Sequence, residues 1–325
     1  MTPATGPRPR ALHASGAAPS DERGFALLAV LLVMAVVGVL GAEFAHSMRL
    51  EASAVRAYKD TLVAAHLAEA GIEQAVRELV GAGAFVTVAS DGDLTFFTND
   101  AQPVPRLPRR EVELGPGRFS YRLTDEEARI NLNTAPPVRV DLLLQAFGLD
   151  KMERDVIGDS LQDWRDPNEE HRLNGAESED HYLELDVPHR SKNGNLDSVG
   201  ELAQIRGVTP ALLWGRDGTP GLADTVTVKT PGQVNINTMG LRVARALGLS
   251  DAEFGLIEQA RREAPFTSVP GQFGGRGLTS ATRTFRIEAE GIVNGQVRAR
   301  LTAIVQRRTG IDGDGIVVLE WSGVR

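Results

Sequence analysis

One uninterrupted apolar stretch, residues 25–42, constrains this chain more than any other feature. Its sequence, FALLAVLLVMAVVGVLGA, carries no charge and follows a short polar leader that ends in Arg23 and Gly24. At about 1.5 Å per residue, a helix over this stretch would be roughly 27 Å long, close to the thickness of the hydrocarbon core of a bilayer. No other segment of the sequence is comparably apolar. The stretch therefore predicts one membrane-spanning helix.

The residues around this helix argue against an ordinary cleaved secretory signal. Such a signal is cut after its apolar region, at small residues spaced as Ala-x-Ala, and residues 41–45 (GAEFA) offer only a poor version of that site. The sequence RGFALL instead resembles the site at which prepilin-like proteins are cleaved, here between Gly24 and Phe25. We therefore expect the helix to be retained and the mature chain to begin at Phe25. An uncleaved signal anchor is the alternative.

Composition limits the compartment and the partners. The formal net charge of -8 disfavours a general nucleic-acid binder, because that function needs a basic surface. The chain contains no cysteine, so disulfides and thiolate metal sites are excluded. The leader holds Arg8, Arg10 and Arg23 against Asp21 and Glu22. By the positive-inside rule this excess places the leader in the cytoplasm and the bulk of the chain outside.

Helical spacing continues beyond the apolar stretch to about residue 80. Leu67, Ile72 and Val76 recur at helical intervals and predict a face that packs on a sheet, although two helices meeting near Glu43 are an alternative. Gly81 then supplies a stop signal. Short alternating segments at 84–88, 94–97 and 118–123 follow and predict strands.

The C-terminal part also predicts sheet. Residues 285–292 and 296–305 flank Asn294-Gly295, a strong signal for a two-residue hairpin turn. Residues 316–321 predict a closing strand after the turn-like sequence DGDG at 312–315. Because sheet occurs at both ends and helical patterns lie between them, the order indicates a sheet domain with an insertion.

The middle of the chain contains an internal repeat. The sequence NLNT at 131–134 is matched by NINT at 235–238, and each leads into a helical pattern. Both units restart a helix with a capping box, Asp150 with Glu153 and Ser250 with Glu253. We therefore predict two small helical hairpins, in which the Asn and Thr residues form turns and caps rather than a catalytic set.

Carboxylates crowd the loop after the first hairpin and suggest a cation site. Calcium takes six to eight hard oxygen ligands in flexible geometry, which a loop rich in acids can supply from two sides. The predicted ligands are Asp163, Asp166, Asn168, Glu177 and Asp180. A solvated acidic loop is the alternative. His171, His181 and His189 raise a zinc alternative, but their spacing matches no compact zinc arrangement.

Residues 201–213 resemble a helix-hairpin-helix unit, which in DNA-binding proteins offers its hairpin amides to phosphate. The second glycine of that hairpin is Thr209 here, and the surroundings are acidic. Phosphate binding would then lack both close backbone approach and charge. We therefore predict a packing unit, with a membrane-anchored DNA receptor as the alternative.

In combination, these segments resemble the K class of type II secretion minor pseudopilins. The motifs that carry the resemblance occur in one order along nearly the whole mature chain: the processing site at Gly24 and Phe25, AEAGIEQA at 68–75, Asp125 with RINLNTA at 129–135, Asp163-Trp164 with Asp166, GAE at 175–177, Ser198-Val199 with Glu201, and VNINT at 234–238. Each motif is weak alone, and their order is specific.

The resemblance implies a non-enzymatic assembly protein. Such a protein would start and cap a periplasmic filament from a single-pass anchor in the bacterial inner membrane, after cleavage by a prepilin peptidase and N-methylation. Its implied partners are the I and J minor pseudopilins and the major pseudopilin, with no nucleic acid, and the family also binds calcium near its insertion. Most pilin-like subunits carry Glu at the fifth mature position, where this chain has Ala29, as the K class does. A type IV pilus minor pilin and an anchored metallohydrolase are further alternatives.

The expected fold class is α+β, with a long N-terminal helix packed on a pilin-like antiparallel sheet that a large all-helical insertion interrupts. The expected segments are a leader (1–24), the helix (25–82), a first sheet part (83–130), the insertion (131–265) and a second sheet part (266–325).

Overall fold

The computed structural model describes Gly6 and residues 22–308 and 315–323, with side chains from Phe25 onward. The chain divides into two compact units, Met1–Lys59 and Asp60–Arg325. Most of the predicted leader and the predicted turn at 312–314 lie outside the described residues. The predicted segment limits stay predictions.

Six α-helices and eleven strands occur in the described residues. The helices are α1 (Glu22–Gly81), α2 (Pro137–Ala146), α3 (Lys151–Arg165), α4 (Pro210–Trp214), α5 (Leu241–Ala246) and α6 (Asp251–Glu263). The strands are β1 (Phe85–Val88), β2 (Leu94–Phe97), β3 (Val112–Leu114), β4 (Gly117–Asp125), β5 (Ile130–Asn131), β6 (Val226–Thr227), β7 (Val234–Asn235), β8 (Leu278–Thr279), β9 (Thr284–Val293), β10 (Gln296–Arg308) and β11 (Gly315–Ser322).

Helix α1 is continuous through Glu43, so the single-helix prediction is confirmed. Within the second unit one face is buried, with residues three or four apart: Ala64, Leu67, Ala68, Ile72, Ala75 and Leu79. This face packs on β4, β9 and β10. The helix approaches the sheet so closely that a Cβ atom at Gly291 would lie 1.8 Å from the Ala64 carbonyl oxygen. Only glycine fits at this position on β9.

The main sheet is antiparallel, with the strand order β11-β10-β9-β4-β3. The predicted strands at 118–123, 285–292, 296–305 and 316–321 all belong to it, and β3 is a strand that the sequence pattern missed. Strands β1 and β2 form a separate hairpin. The turn at Asn294 and Gly295 has φ of 54° and 72°. Positive φ at both residues is the requirement of a type I′ hairpin turn, so this prediction is confirmed.

The repeat predicts the helical hairpins correctly, and the asparagines act as turn residues. Asn131 and Asn235 each accept a hydrogen bond at Oδ1 from the backbone N–H two residues on, at 2.8 and 3.0 Å. The second asparagine of each unit binds the backbone of a distant segment with both its side-chain nitrogen, which donates, and its side-chain oxygen, which accepts. Asn133 pairs with the backbone of Leu196, and Asn237 pairs with the backbone of Phe266.

Both predicted capping boxes are present. The Asp150 side chain accepts from the Glu153 N–H at 2.9 Å, and the Glu153 carboxylate accepts from the Asp150 N–H at the same distance. Ser250 and Glu253 repeat the arrangement at 3.2 and 2.8 Å. Each box satisfies two amides that the first helical turn leaves without partners.

The fold class is confirmed, but the insertion is not all-helical. Strand β5 pairs in parallel with β6, and β7 pairs in parallel with β8. Each pairing covers two residues, and the second residue of β5 and of β7 is the first asparagine of a repeated motif, Asn131 or Asn235. The first residue of each motif therefore pairs with a distant strand. The helical periodicity of the sequence gives no sign of this pairing.

The second unit contains two separate apolar cores. One lies between α1 and the sheet and includes Ile72, Leu123 and Phe285. The other lies within the insertion and includes Leu143, Trp164 and Tyr182. The segment around residues 125–130 passes from the first core to the second, so its side chains are placed to join them.

Candidate functional site

The first candidate site is the surface of the apolar helix. Every residue from 25 to 59 is exposed, and Phe25, Leu28 and Leu32 expose 67–76% of their surface. The helix is long and apolar enough to cross a membrane. The described residues therefore leave an apolar surface that lipid or other proteins must cover. Ala29, at the fifth predicted mature position, is part of this exposed surface.

The second candidate site is the acidic loop, where Asp163 is fully buried. It accepts hydrogen bonds at Oδ2 from the backbone N–H groups of Arg172 and Ala176, both at 3.0 Å. The Arg172 guanidinium donates to its Oδ1 at 2.5 Å. A Cβ atom at Gly175 would lie 1.8 Å from Asp163 Oδ2. The motif Gly-Ala-Glu therefore begins with glycine because the loop closes directly over this carboxylate.

Arg172 also contacts a second predicted ligand. Its Nη1 donates to Asp166 Oδ2 at 2.6 Å, so one guanidinium bridges Asp163 and Asp166. Asn168 donates from Nδ2 to Asp166 Oδ1 at 2.6 Å and lies exposed. In this arrangement the positive charge between the two carboxylates belongs to the protein itself.

Glu177 is the least satisfied of the predicted ligands. Its Oε2 accepts from the Ser191 hydroxyl at 2.5 Å, but its Oε1 is buried without a hydrogen-bond partner. Burial, together with the nearby charges of Asp163 and Glu169, raises the pKa of Glu177. Asp180 instead accepts from the Glu177 backbone N–H at 2.9 Å and so caps a turn. A buried carboxylate oxygen without a donor is rare in proteins, and it can accept either a cation or a hydrogen-bond donor.

The four acids among the predicted ligands do not form a preformed metal cluster. Within residues 22–308 and 315–323, no three His, Cys, Asp or Glu side chains are arranged to hold a metal ion. The rings of His181 and His189 both pack on Tyr182, with ring centroids 5.2 and 4.9 Å from its ring. These two histidines pack around a buried aromatic ring.

The sequence patterns missed a buried polar junction between the two cores. Asp125 is buried and accepts four hydrogen bonds, from Thr238, Thr282, Asn235 and the Glu127 N–H. Asn235 and Thr238 belong to the second repeated motif. Asp125 therefore ties the end of β4 to the insertion and to the segment that re-enters the sheet. Burial raises the pKa of this carboxyl.

The two acids that follow complete the junction. Glu126 receives two hydrogen bonds from Arg286, both at 2.9 Å, and one from Thr227 at 2.6 Å. Burial opposes its ionisation, but the hydrogen bonds from Arg286 and the charge of Arg129 hold the pKa of Glu126 below its usual value. Glu127 Oε1 accepts from the backbone of Arg283 and Thr284, each at 3.0 Å. Of these three consecutive acids, the sequence motifs single out only Asp125. Adjacent acids before a loop are typical of a solvated turn, so the pattern does not indicate that Glu126 and Glu127 are buried.

The unit that resembles helix-hairpin-helix packs against α3. Gly207 has φ of +87°, and a Cβ atom there would lie 2.8 Å from Ile157 Cγ1. The turn is thus pressed against a helix of the insertion, as the packing prediction requires.

Comparisons with known proteins agree on one family. Residues 122–214 match the model of the first domain of type II secretion system protein K. A putative type II secretion system protein K of Escherichia coli K12 is 27% identical over 212 residues, which are 58% of this chain and 59% of that protein. Type II secretion system protein K of Klebsiella pneumoniae is 30% identical over 268 residues, which are 76% of this chain and 78% of that protein.

A solved structure shares the fold. It is the complex of GspK, GspI and GspJ from the type II secretion system of enterotoxigenic E. coli, which matches with a TM-score of 0.61 and 16% identity. The match covers 84% of this chain and 99% of the matched chain. None of these similarities supports the DNA-binding alternative. With the sequence similarity to the K. pneumoniae protein over most of both chains, this chain belongs to the type II secretion system protein K family.

Proposed function

We propose that this chain is the minor pseudopilin at the tip of a type II secretion pseudopilus, where it starts and caps the filament that drives protein export. The observation that carries the proposal is the exposed apolar stretch of residues 25–42 in a chain of the protein K family. Lipid covers this helix before assembly, and neighbouring helices cover it in the filament. The bulk of the chain lies in the periplasm, and the anchor crosses the bacterial inner membrane once.

The I- and J-type minor pseudopilins are the proposed direct partners, and the major pseudopilin lies below them. The complex of GspK with GspI and GspJ in enterotoxigenic E. coli supports this choice. The chain acts as an assembly component rather than as an enzyme. A prepilin peptidase cleaves it after Gly24, and the new N-terminal amine of Phe25 is methylated.

Ala29 supports a place at the tip. A carboxylate at this position would need the amine of a subunit above it, since an unpaired charge in an apolar helix environment is strongly unfavourable. A subunit with none above it loses nothing by carrying alanine. The insertion enlarges the head, and a neighbour directly above would collide with it.

We also propose that the acidic loop binds calcium. The residues fit a hard cation in part, because Glu177 Oε1 and Asn193 Oδ1 are buried oxygens without hydrogen-bond partners. Asp163 and Asp166 would join them as ligands only after Arg172 leaves the space between them. Asn168 and Asp180 complete the predicted set. The bound ion would supply the positive charge that Arg172 supplies in its absence.

The tip assignment is tested by labelling the head and imaging assembled pseudopili. Because the chain has no cysteine, a single Glu179→Cys substitution in an exposed loop position gives one labelled site. Label at one end of each filament is expected. Label distributed along the shaft would contradict the proposal.

A further inference from the structure

Strand β11 forms an open edge of the main sheet. It pairs with β10 from Arg308↔Gly315 to Thr302↔Ser322, and it is the last strand in the order β11-β10-β9-β4-β3. No backbone hydrogen bond reaches its other side from any residue that the structure describes. In an antiparallel strand, alternate residues direct N–H and C=O groups away from the existing partner. A row of backbone donors and acceptors is therefore available along this edge.

The apolar layer between the sheet and α1 is only partly covered where it reaches this strand. The register places Val318 opposite Val305 and Trp321 opposite Ala303. Val305 and Ala303 belong to the core under α1 and are 0% exposed. Residues paired across two strands share a face, so Val318 and Trp321 continue the core layer. They are nevertheless 50% and 47% exposed, because nothing among the described residues covers the outer part of this layer.

The edge has only one of the usual protections against strand addition, a register shift between Ile304 and Val305 that leaves Leu319 as an extra residue on β11. Exposed edges in soluble proteins are shortened, bulged, or carry lysine, proline or an inward-pointing charge. Strand β11 is eight residues long, reads GIVVLEWS, and contains neither lysine nor proline. Its one charge, Glu320, lies opposite Ile304 on the other face, 3.6 Å from Lys229. The opposite edge strand, β3, has only three residues.

We propose that β11 accepts an added strand from an I- or J-type pseudopilin, which extends both the sheet and the core layer. The backbone groups select an extended polypeptide over a helix or a lipid, and the half-covered side chains select its sequence pattern. The added strand is apolar at the two positions that pack on Val318 and Trp321, and it follows the register shift that lies between them. Its other side chains lie on the face of the sheet that carries Glu320. This inference rests on the proposed function, since a single copy at the tip can obtain the strand only from a different subunit.

The absence of cysteine makes a direct crosslinking test practical. The full chain carrying Val317→Cys is produced in membranes with the I- and J-type pseudopilins of the same organism, and the cysteine is coupled to a benzophenone maleimide. Illumination is expected to give a covalent adduct with one of the two subunits. The matched control is Arg122→Cys, an exposed position on β4, which is three strands away from β11 and should give no adduct.

A second set of variants tests the edge itself. Val318→Lys and Trp321→Lys place charges on the uncovered core layer, and the adduct from Val317→Cys should be lost in both. Their melting temperatures should stay near that of the parent, because both side chains are about half exposed already. If either variant fails to fold, the Val317→Cys result on the otherwise unchanged edge decides the question.

Co-purification separates the two proposals. If both subunits co-purify with the chain but the illuminated Val317→Cys protein gives no adduct, or joins two copies of this chain, the strand-addition proposal is overturned and the tip assignment stands. If neither subunit co-purifies with the unmodified chain, the assignment to a complex with I- and J-type partners is overturned, and the strand proposal with it. An adduct with lipid alone would also overturn the strand proposal.

Discussion

Arg109 and Glu78 form a buried ion pair that holds the segment between β2 and β3 against helix α1. Arg109 Nε donates to Glu78 Oε2 at 3.0 Å and Nη2 donates to Oε1 at 2.7 Å. The two side chains expose 4% and 5% of their surface. The Tyr121 hydroxyl donates to the same carboxylate at 2.8 Å, which connects the pair to β4. Every oxygen of Glu78 thus has a donor, as a buried carboxylate requires.

The first prediction concerns this pair. Arg109→Ala should lower the free energy of unfolding by about 3–5 kcal/mol, because it leaves the Glu78 carboxylate buried and without its counter-charge. Denaturant unfolding of the detergent-solubilised protein measures the loss. The neighbouring Arg110, whose side chain is 70% exposed beside Asp93, is the matched control. Arg110→Ala should change stability by less than about 1 kcal/mol. Equal effects of the two substitutions would contradict the prediction.

The second prediction concerns the buried junction. Asp125→Ala should destabilise the second unit by at least about 3 kcal/mol, because Asn235, Thr238 and Thr282 each lose an acceptor inside the protein and each unsatisfied group carries a penalty of about 1–3 kcal/mol. Asp141→Ala, at a half-buried ion pair with Arg154, is the control. Unfolding curves measure the loss of stability in each variant. If Asp125→Ala destabilises the protein no more than Asp141→Ala does, the prediction is contradicted.

The third prediction concerns pH. Burial and the nearby charge of Asp125 raise the pKa of Glu127 above its usual value. The unfolded state therefore ionises first as pH rises, so the stability contributed by this group is complete below the ordinary glutamate pKa of about 4.3 and is lost as pH rises through the folded-state pKa. Glu127→Gln removes this dependence. Relative to the parent, the melting temperature of the variant should increase as pH rises above that ordinary value. A difference that stays constant with pH would contradict the assignment.

The sequence predicts the fold well where one local pattern decides the structure. Continuous apolar spacing, two capping boxes and an Asn-Gly turn each specify a helix, a helix start or a hairpin without help from distant residues. The junction could not be predicted in the same way. Glu126 is paired with Arg286 and Glu127 with the backbone of Thr284, partners about 160 residues away that only the folded chain brings together. Strand β3 is three residues long and too short to show a period.

The acidic loop shows the same limit. The number of carboxylates suggested a cation, but Arg172, which lies within the same loop, bridges Asp163 and Asp166. Sequence alone cannot indicate whether an internal guanidinium or an external ion takes that place. The informative position is Glu177, because the burial of its Oε1 atom without a hydrogen-bond partner depends on how the loop closes over α3.

The fourth prediction concerns calcium. An ion that binds only the folded loop adds stability of RT ln(1 + [L]/Kd), about 2.7 kcal/mol at a hundredfold excess over Kd. Calcium should raise the melting temperature of the full chain, and chelator should reverse the change. Glu177→Gln should remove most of the response, whereas Glu179→Gln, at an exposed position two residues along the loop, should keep it. A melting temperature that does not respond to calcium would support the solvated-loop alternative.

The fifth prediction concerns processing. Gly24→Glu should block cleavage before Phe25, because a bulky acid then replaces the small residue at the scissile bond. Mass spectrometry of the membrane-extracted protein should show a methylated N-terminus at Phe25 in the parent and an intact leader in the variant. Gly6→Glu, in the leader but distant from the cleavage site, should be processed normally. A parent protein that began near Glu43 or retained Met1 would contradict the pilin-type processing.

The junction at Asp125 has a mechanical consequence. Apolar layers resist separation through contact area and tolerate small slides, because the hydrophobic effect has no preferred direction. Hydrogen bonds weaken steeply once their length or angle departs from the optimum. Two of the four hydrogen bonds to the Asp125 carboxylate come from the insertion, from Asn235 and Thr238. Under a force that pulls the insertion from the sheet, this connection is stiff at first and then ruptures as one unit, so the head yields abruptly above a threshold load and returns to the same geometry below it.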